Sequence, residues 1–329
     1  MSVKATFFMR VYNVDASLLR RAVESVLNQT EPEFRFIIQD NGTTDGSAEI
    51  LKEYAQKDKR IGLCRNEVNS IVTQEELQRR DDVFYHNLEE CQSQYFAIID
   101  SDDCYEANFL EVAYEAAQRT GADILFSGYQ QVGMDGELLT RKVPSNEFCS
   151  TNEMTCDTFQ EGYSLFRTLW GNLYSANLWK RYWELVSSRA KYMQNGHDTY
   201  INLQLLREIN CFTLLDKCLY SQTVRNDSFY KSDVRVERVL EGDDLFLQGL
   251  QTVGYYNMLN EQMLTFLASV YYYHIQDIVL NVLKRENKEL VMALLDMLQR
   301  SDVYSMLAEK GEDFQQMLKI LQVKGTQLC

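Results

Sequence analysis

The densest chemistry in the chain sits in four consecutive residues, Asp100-Ser101-Asp102-Asp103, directly after the apolar run Tyr95 to Ile99. Two carboxylates at i and i+2 suit a hard divalent cation. Mg2+ or Mn2+ takes one or two carboxylates and fills its remaining positions with water and substrate phosphates. The same residues also suit a helix start, with Asp102 or Asp103 as cap of a helix beginning near Ala107. An EF-hand is excluded: counted from Asp100, Glu111 falls twelfth, but Tyr105 stands sixth, where the sharp bend needs glycine. Two more polar clusters end apolar runs in the same way. Tyr12-Asn13 follows Val3 to Met9, and Asp40-Asn41-Gly42 follows Phe34 to Gln39.

Other phosphate-binding devices are missing. The chain has no G-x-x-x-x-G-K-[ST] loop, no G-x-G-x-x-G after a strand and no G-x-S-x-G elbow. Its eight cysteines include no C-x-x-C pair and it has only three histidines, so a zinc site built from Cys/His clusters is not expected. Acidic residues outnumber basic ones by 48 to 33, a net charge of −15, with no basic cluster to grip a nucleic-acid backbone. Such a protein reaches a phosphorylated small molecule through a bridging divalent cation.

The elements that must position these clusters alternate in period over the first 130 residues. The apolar runs 3–9, 34–39, 61–64, 95–99 and 122–130 read as strands. Between them, Leu18, Leu19, Ala22, Val23, Val26 and Leu27 share one helical face, with Asn13 or Asp15 placed to cap it. Ile50, Leu51 and Tyr54 mark a second helix, 75–91 a polar one, and 109–119 another, stopped by Gly121; GMDGE at 133–137 is a hairpin turn. Strand–helix alternation predicts an α/β fold with a mostly parallel sheet, and ligands at the carboxyl ends of its strands. All three polar clusters then converge on one edge. Beyond about residue 220, helical patterns dominate (Ala268, Tyr271; Leu290, Leu294, Leu298; Met317, Ile320, Leu321), which predicts a unit over 1–220 and a helical region over 221–329. The apolar stretch Met263 to Leu283 carries His274, Gln276, Asp277 and Asn281, too polar for a membrane span.

Three blocks, RVYN at 10–13, SVLNQTEPEFRFIIQDNGTTDGS at 25–47 and YFAIIDSDDCYEANFLE at 95–111, resemble in order and spacing the family 2 glycosyltransferases of GT-A fold. Fainter likeness continues through 169–181, 195–206 and 218–228. The resemblance implies a Rossmann-like, nucleotide-diphospho-sugar transferase sheet and an inverting transfer from a nucleotide sugar, a UDP-sugar, to a saccharide or lipid-linked acceptor. By the same resemblance Tyr12 lines the nucleobase site, Asp40 with Asn41 hydrogen-bonds the base, and Asp100 and Asp102 match the D-x-D that holds ribose and a Mn2+ or Mg2+ ion. Asp103 fits a sugar contact or a helix cap. Asp198 stands where the family has its catalytic base, with His197 in place of the preceding acid. Arg225 lies in a segment that closes over the donor diphosphate in relatives. Trp170 and Asn172 fall near the sugar or acceptor, although many relatives have lysine at Asn172. The family's Ala-Arg-Asn segment is replaced by Val83-Phe84-Tyr85, with Arg79 and Arg80 as substitutes.

The lack of a signal-peptide pattern and the cysteine spacing predict a cytoplasmic protein with reduced cysteines, without a transmembrane segment, and the acidic charge predicts no nucleic-acid partner; peripheral membrane contact and homo-oligomerisation are left open. A catalytically silent relative that serves as a binding or assembly partner is the alternative, motivated by His197 and the missing Ala-Arg-Asn. A nucleotidyltransferase is a third reading, without its glycine-rich N-terminal loop.

Overall fold

The computed structural model describes residues 3–67, 93–151, 155–188, 197–225, 287–300 and 311–327, with separate helical residues between 268 and 307. The expected polar helix at 75–91, together with Arg79, Arg80 and Val83 to Tyr85, lies outside the described residues. The chain forms two compact units. The first comprises Met1–Glu153, Glu161–Met193 and Ile201–Ser228, and the second Met154–Gln160, Gln194–Tyr200 and Phe229–Cys329.

In the first unit, β1 (Ala5–Val11), β2 (Phe34–Asp40), β3 (Ile61–Arg65) and β4 (Tyr95–Asp100) pair in parallel in the order β3-β2-β1-β4. Their links are α1 (Ala16–Leu27) and α2 (Ser47–Lys57). Beyond β4 the sheet continues through β9 (Asn172–Ser175), β6 (Ile124–Val132), β10 (Cys211–Thr223) and the two-residue β5 (Cys104–Tyr105), with β7 (Leu138–Lys142) on β6 and β8 (Phe148–Thr151) on β10. β10 runs parallel to β6, whereas β9 lies antiparallel to both of its neighbours. The sheet is therefore mostly parallel, as the alternation predicts. Short antiparallel additions such as β9 leave too brief a period for sequence to reveal.

The helices form for the reasons their sequences state. α1 buries Leu18, Leu19, Ala22, Val23 and Val26, each worth roughly 1.5–3 kcal/mol of burial for the larger side chains. Its cap is Asp15, whose carboxylate accepts from the Ser17 and Leu18 N–H groups; Asn13 does other work. α3 (Phe109–Thr120) ends in a left-handed residue, Gly121 (φ +69°), where glycine alone avoids a Cβ penalty. Its start differs from either expectation. Asn108 is the cap position but gives no side-chain bond, and the orphan N–H of Leu110 is taken instead by Gln29 Oε1 at 2.9 Å. The Gln29 amide also donates to the Ser25 and Glu106 carbonyls. Neither Asp102 nor Asp103 caps this helix.

Apolar residues line both faces of the sheet. On one face Phe7 meets Phe34, Tyr105 and Phe109, and on the other Phe8 stacks on Trp179 at 4.5 Å while Phe96 stacks on Tyr174 at 5.0 Å. After these come α4 (Cys156–Phe166), α5 (Trp179–Ser188) and α6 (His197–Leu206). The hairpin at 133–137 forms as expected, closed by the Gly133 N–H donating to the Glu137 carbonyl at 2.8 Å.

In the second unit, α7 (Lys288–Leu298) packs against α8 (Gly311–Gln327). Ala268, Tyr271, Ile275, Val279 and Val282 are buried at helical spacing, and so are Met317 and Leu321. Ile320, expected on that inner face, is 48% exposed. Among the described residues no helix is long and apolar enough to cross a membrane.

β10 carries an irregularity that matters below. Opposite β6 its register slips between Leu215 and Cys218 and again between Cys218 and Tyr220. Gly128 of β6 lies beneath the slip, where a Cβ would come within 2.9 Å of the Lys142 and Lys217 carbonyl oxygens. Those are backbone atoms and cannot turn aside. Gly128→Ala is therefore expected to lower stability by about 1–3 kcal/mol, read as a shifted urea midpoint at unchanged m-value.

Candidate active site

The register of β1, β2 and β4 brings the three polar clusters together. Val11 stands opposite Asp40, and Arg10 opposite Asp100, so Tyr12, Asp40 and Asp100 leave the sheet at one carboxyl edge. This is the convergence the alternation predicted.

The two loops beside β1 are laced together. Tyr12 is 42% exposed at the rim. Asn13, the one non-glycine with positive φ among the described residues (+48°), accepts from the Thr44 N–H at 2.9 Å through Oδ1. Asn is among the few residues that adopt this conformation at small cost. Asp40 and Asn41 are both buried. Asp40 Oδ1 accepts from the Thr43 N–H at 2.9 Å, its Oδ2 lies 3.4 Å from Arg65 Nε, and Asn41 Oδ1 accepts from Asn66 Nδ2 at 3.0 Å. Asp40 thus shapes its own turn, as a turn residue would, while keeping a carboxylate oxygen near a guanidinium.

The acidic turn is built differently. Asp100 is exposed, Asp102 partly buried and Asp103 buried. The Asp103 carboxyl accepts the Thr223 N–H at 2.7 Å and the Tyr220 O–H at 2.9 Å. The Tyr220 oxygen in turn accepts the Asp100 N–H at 3.2 Å. Thr223 Oγ1 donates to the Asp102 carbonyl at 2.6 Å and accepts from Arg21 Nη2 at 2.7 Å. Arg225 Nε stands 3.1 Å from Asp102 Oδ2. Burial, and then the charges of Asp100 and Asp102, push the Asp103 carboxyl well above the ordinary carboxylate range. Burial likewise pushes the Tyr220 phenol up, with Asp103 and Asp100 adding to it.

Sequence reasoning missed Tyr220, Thr223 and Arg21. They come from elements far apart in the chain; Tyr220 and Thr223 lie in the faintly similar block 218–228, but nothing in it singles them out. It placed Trp170 and Asn172 near a sugar or acceptor, but the structure packs both inside. Trp170 stacks on Tyr220 at 4.6 Å and 12°. Asn172 has no exposed surface, and its Nδ2 donates to the Thr168 carbonyl and the Tyr174 hydroxyl. It opens β9, a short strand inside the sheet. His197 and Asp198 open α6 and belong to the second unit. Asp198 sits within the first helical turn, not at the cap position before it, where a carboxylate favours the helix dipole.

Among the described residues no group of three His, Cys, Asp or Glu side chains is arranged to hold a metal ion. Asp100 and Asp102 nevertheless offer an all-oxygen pair with one member open to solvent. That donor set fits a hard cation completed by water and phosphate oxygens.

Comparison with known proteins follows the same edge. The description "Glycosyl transferase family 2" matches residues 6–175, more than half of the 329-residue chain. The chain belongs to glycosyl transferase family 2. The match takes in every proposed site residue from Tyr12 to Asn172 and ends before His197, Asp198 and Arg225. Similar family members include the glycosyltransferase GlyA of Streptococcus pneumoniae, 26% identical over 68% of this chain and 31% of its own length. Another is the teichuronic acid biosynthesis glycosyltransferase TuaG of Bacillus subtilis, described as putative, 32% identical over 38% of this chain and 46% of its own. The chain thus spans about a third to a half of these relatives. In fold it is similar to S. aureus TarS 1–349 solved with UDP-GlcNAc, with a TM-score of 0.66 at 19% identity, over 99% of this chain and 89% of that one. The GT-A fold and the family are thereby established.

In this family 2 protein the Tyr220 hydroxyl ties the buried acid to the exposed one. Tyr220→Phe keeps the ring stacking but strips Asp103 of one of its two partners. It is expected to cost about 1–3 kcal/mol, measured by chemical denaturation.

Proposed function

We propose that this protein is a divalent-cation-dependent, inverting glycosyltransferase that moves a sugar from a nucleotide sugar, a UDP-sugar, to a hydroxyl of a saccharide or lipid-linked acceptor. The observation that carries the reading is the convergence of Tyr12, Asp40 and Asp100 at one edge within the stretch matched to the family. The UDP-GlcNAc complex of the TarS neighbour supports a uridine donor.

Tyr12, exposed at the rim, offers a face to the base, and Asp40 with Asn41 supplies the polar contacts beneath it. Asp100 and Asp102 would hold Mn2+ or Mg2+, which supplies neutralisation of the charge that grows on a leaving diphosphate. Arg225 adds a guanidinium whose planar fork suits phosphate oxygens. Asp198 takes the proton from the acceptor hydroxyl as the glycosidic bond forms and the nucleotide diphosphate departs from the opposite face. A half-buried carboxylate is suited to this because partial loss of water raises its basicity. In this reading the catalytic unit extends past the expected boundary at 220, through the end of β10 to Arg225, and the helical region follows it. On the same reading the enzyme works in the cytoplasm.

The test is a melting-temperature panel of nucleoside diphosphates with and without Mn2+, since a ligand bound only by the folded state raises stability. UDP with Mn2+ is expected to give the largest rise. No rise with any nucleotide overturns the reading. Asp198→Asn is expected to lower transfer by about 10²–10⁴-fold while leaving the UDP shift intact. Wild-type protein that binds UDP yet turns over no donor points instead to a silent binding partner.

A further inference from the structure

The acidic turn already has a cation on it. Arg225 Nε lies 3.1 Å from Asp102 Oδ2, with both side chains about three-quarters buried (24% and 21% exposed). At this separation the guanidinium and the carboxylate form an ion pair. The backbone on either side of this pair is pinned. Thr223 is bonded to Asp103 through its N–H and to the Asp102 carbonyl through its hydroxyl. The Val224 N–H donates to the Val132 carbonyl at 2.8 Å. The main chain is therefore fixed up to the residue before Arg225, and what can change is where the Arg225 side chain points.

The carboxylate that Arg225 touches is one of the two that fit a divalent cation. Three carboxyls crowd this turn within four consecutive residues, and like charges so close together repel. In the absence of a metal, such a group needs a positive charge nearby. Once a doubly charged ion shares Asp102, a guanidinium at the same oxygen is repelled. We infer that Arg225 is the resident counter-cation of Asp102, displaced by the divalent cation and thereby released to the diphosphate that arrives with it. This rests on the metal assignment of the preceding section. The ion and the nucleotide then assist each other: the ion must evict Arg225, and the diphosphate gives the evicted side chain a new partner. Linkage makes that assistance reciprocal. Binding of the ion alone is held weak until donor is present.

The experiment is Mn2+ binding followed by electron paramagnetic resonance of the free ion, with and without UDP, on wild type, Arg225→Gln and Arg225→Lys. Arg225→Gln is expected to bind Mn2+ about three- to tenfold more tightly without UDP, the size of effect a partly buried charge pair gives. It is also expected to show a smaller tightening when UDP is added. Arg225→Lys keeps the charge and is expected to stay near wild type. An unchanged or weaker donor-free affinity in Arg225→Gln, with wild type binding Mn2+ in the presence of UDP, overturns the counter-cation role alone. No Mn2+ binding by any of the three proteins, with or without UDP, overturns the metal assignment and this inference with it. Because the readout is ion binding, a merely structural role for Arg225 does not produce the expected result: a variant that loosens the fold loses Mn2+ affinity.

Discussion

A buried carboxyl dictates much of the arrangement around it. Asp103 has almost no contact with water, and an acid in that position is tolerated only with hydrogen bonds to its oxygens. Thr223 and Tyr220 supply one each. They do so from β10, which pairs with β5 immediately after Asp103, and they must hold still. The price is a strand that cannot move independently of the turn. In return, Asp100 and Asp102 project from a turn whose backbone is bonded on both sides, and their separation does not depend on the loop's own stiffness.

Charge balance follows from that constraint. The chain is strongly acidic overall, and its acidic turn concentrates the problem at one strand end. Arg21 and Arg225 answer it from α1 and from the end of β10. At the end of β2, Asp40 is answered by Arg65. Each cation comes from a different element, so the electrostatics of the edge is a property of the assembled sheet.

Much of this was legible in the sequence, and the boundary has a physical cause. Apolar runs ending in Tyr12, Asp40 and Asp100 announce parallel strands because their burial and their polar ends are local facts. The faces of α1 and α3 are equally local. Asp15, not Asn13, caps α1 because Asn13 turns left-handed to bond Thr44, a choice set by a loop 31 residues away. The alternative that Asp102 or Asp103 caps α3 fails for a similar reason, since Gln29 reaches across from α1 to fill that need. Asn172 illustrates the limit most plainly: its family position suggested a substrate contact, yet a four-residue strand that no periodicity betrays draws it into the interior. Tyr220 and Thr223 sit in a faintly similar block that singles out neither, because what makes them matter is a carboxyl more than a hundred residues earlier.

The slip in β10 gives the chain an uneven tolerance to change. Asp216 and Lys217 at the slip are exposed, and their side chains touch little that substitution would disturb. Their number is another matter. Each residue added or removed there would invert the facing of everything downstream, because successive side chains in a strand alternate sides. Tyr220 and Thr223 would then turn away from Asp103, and Arg225 would leave the edge. In a collection of related sequences, this short stretch should vary freely in composition while keeping its length, the opposite of what an exposed loop ordinarily shows.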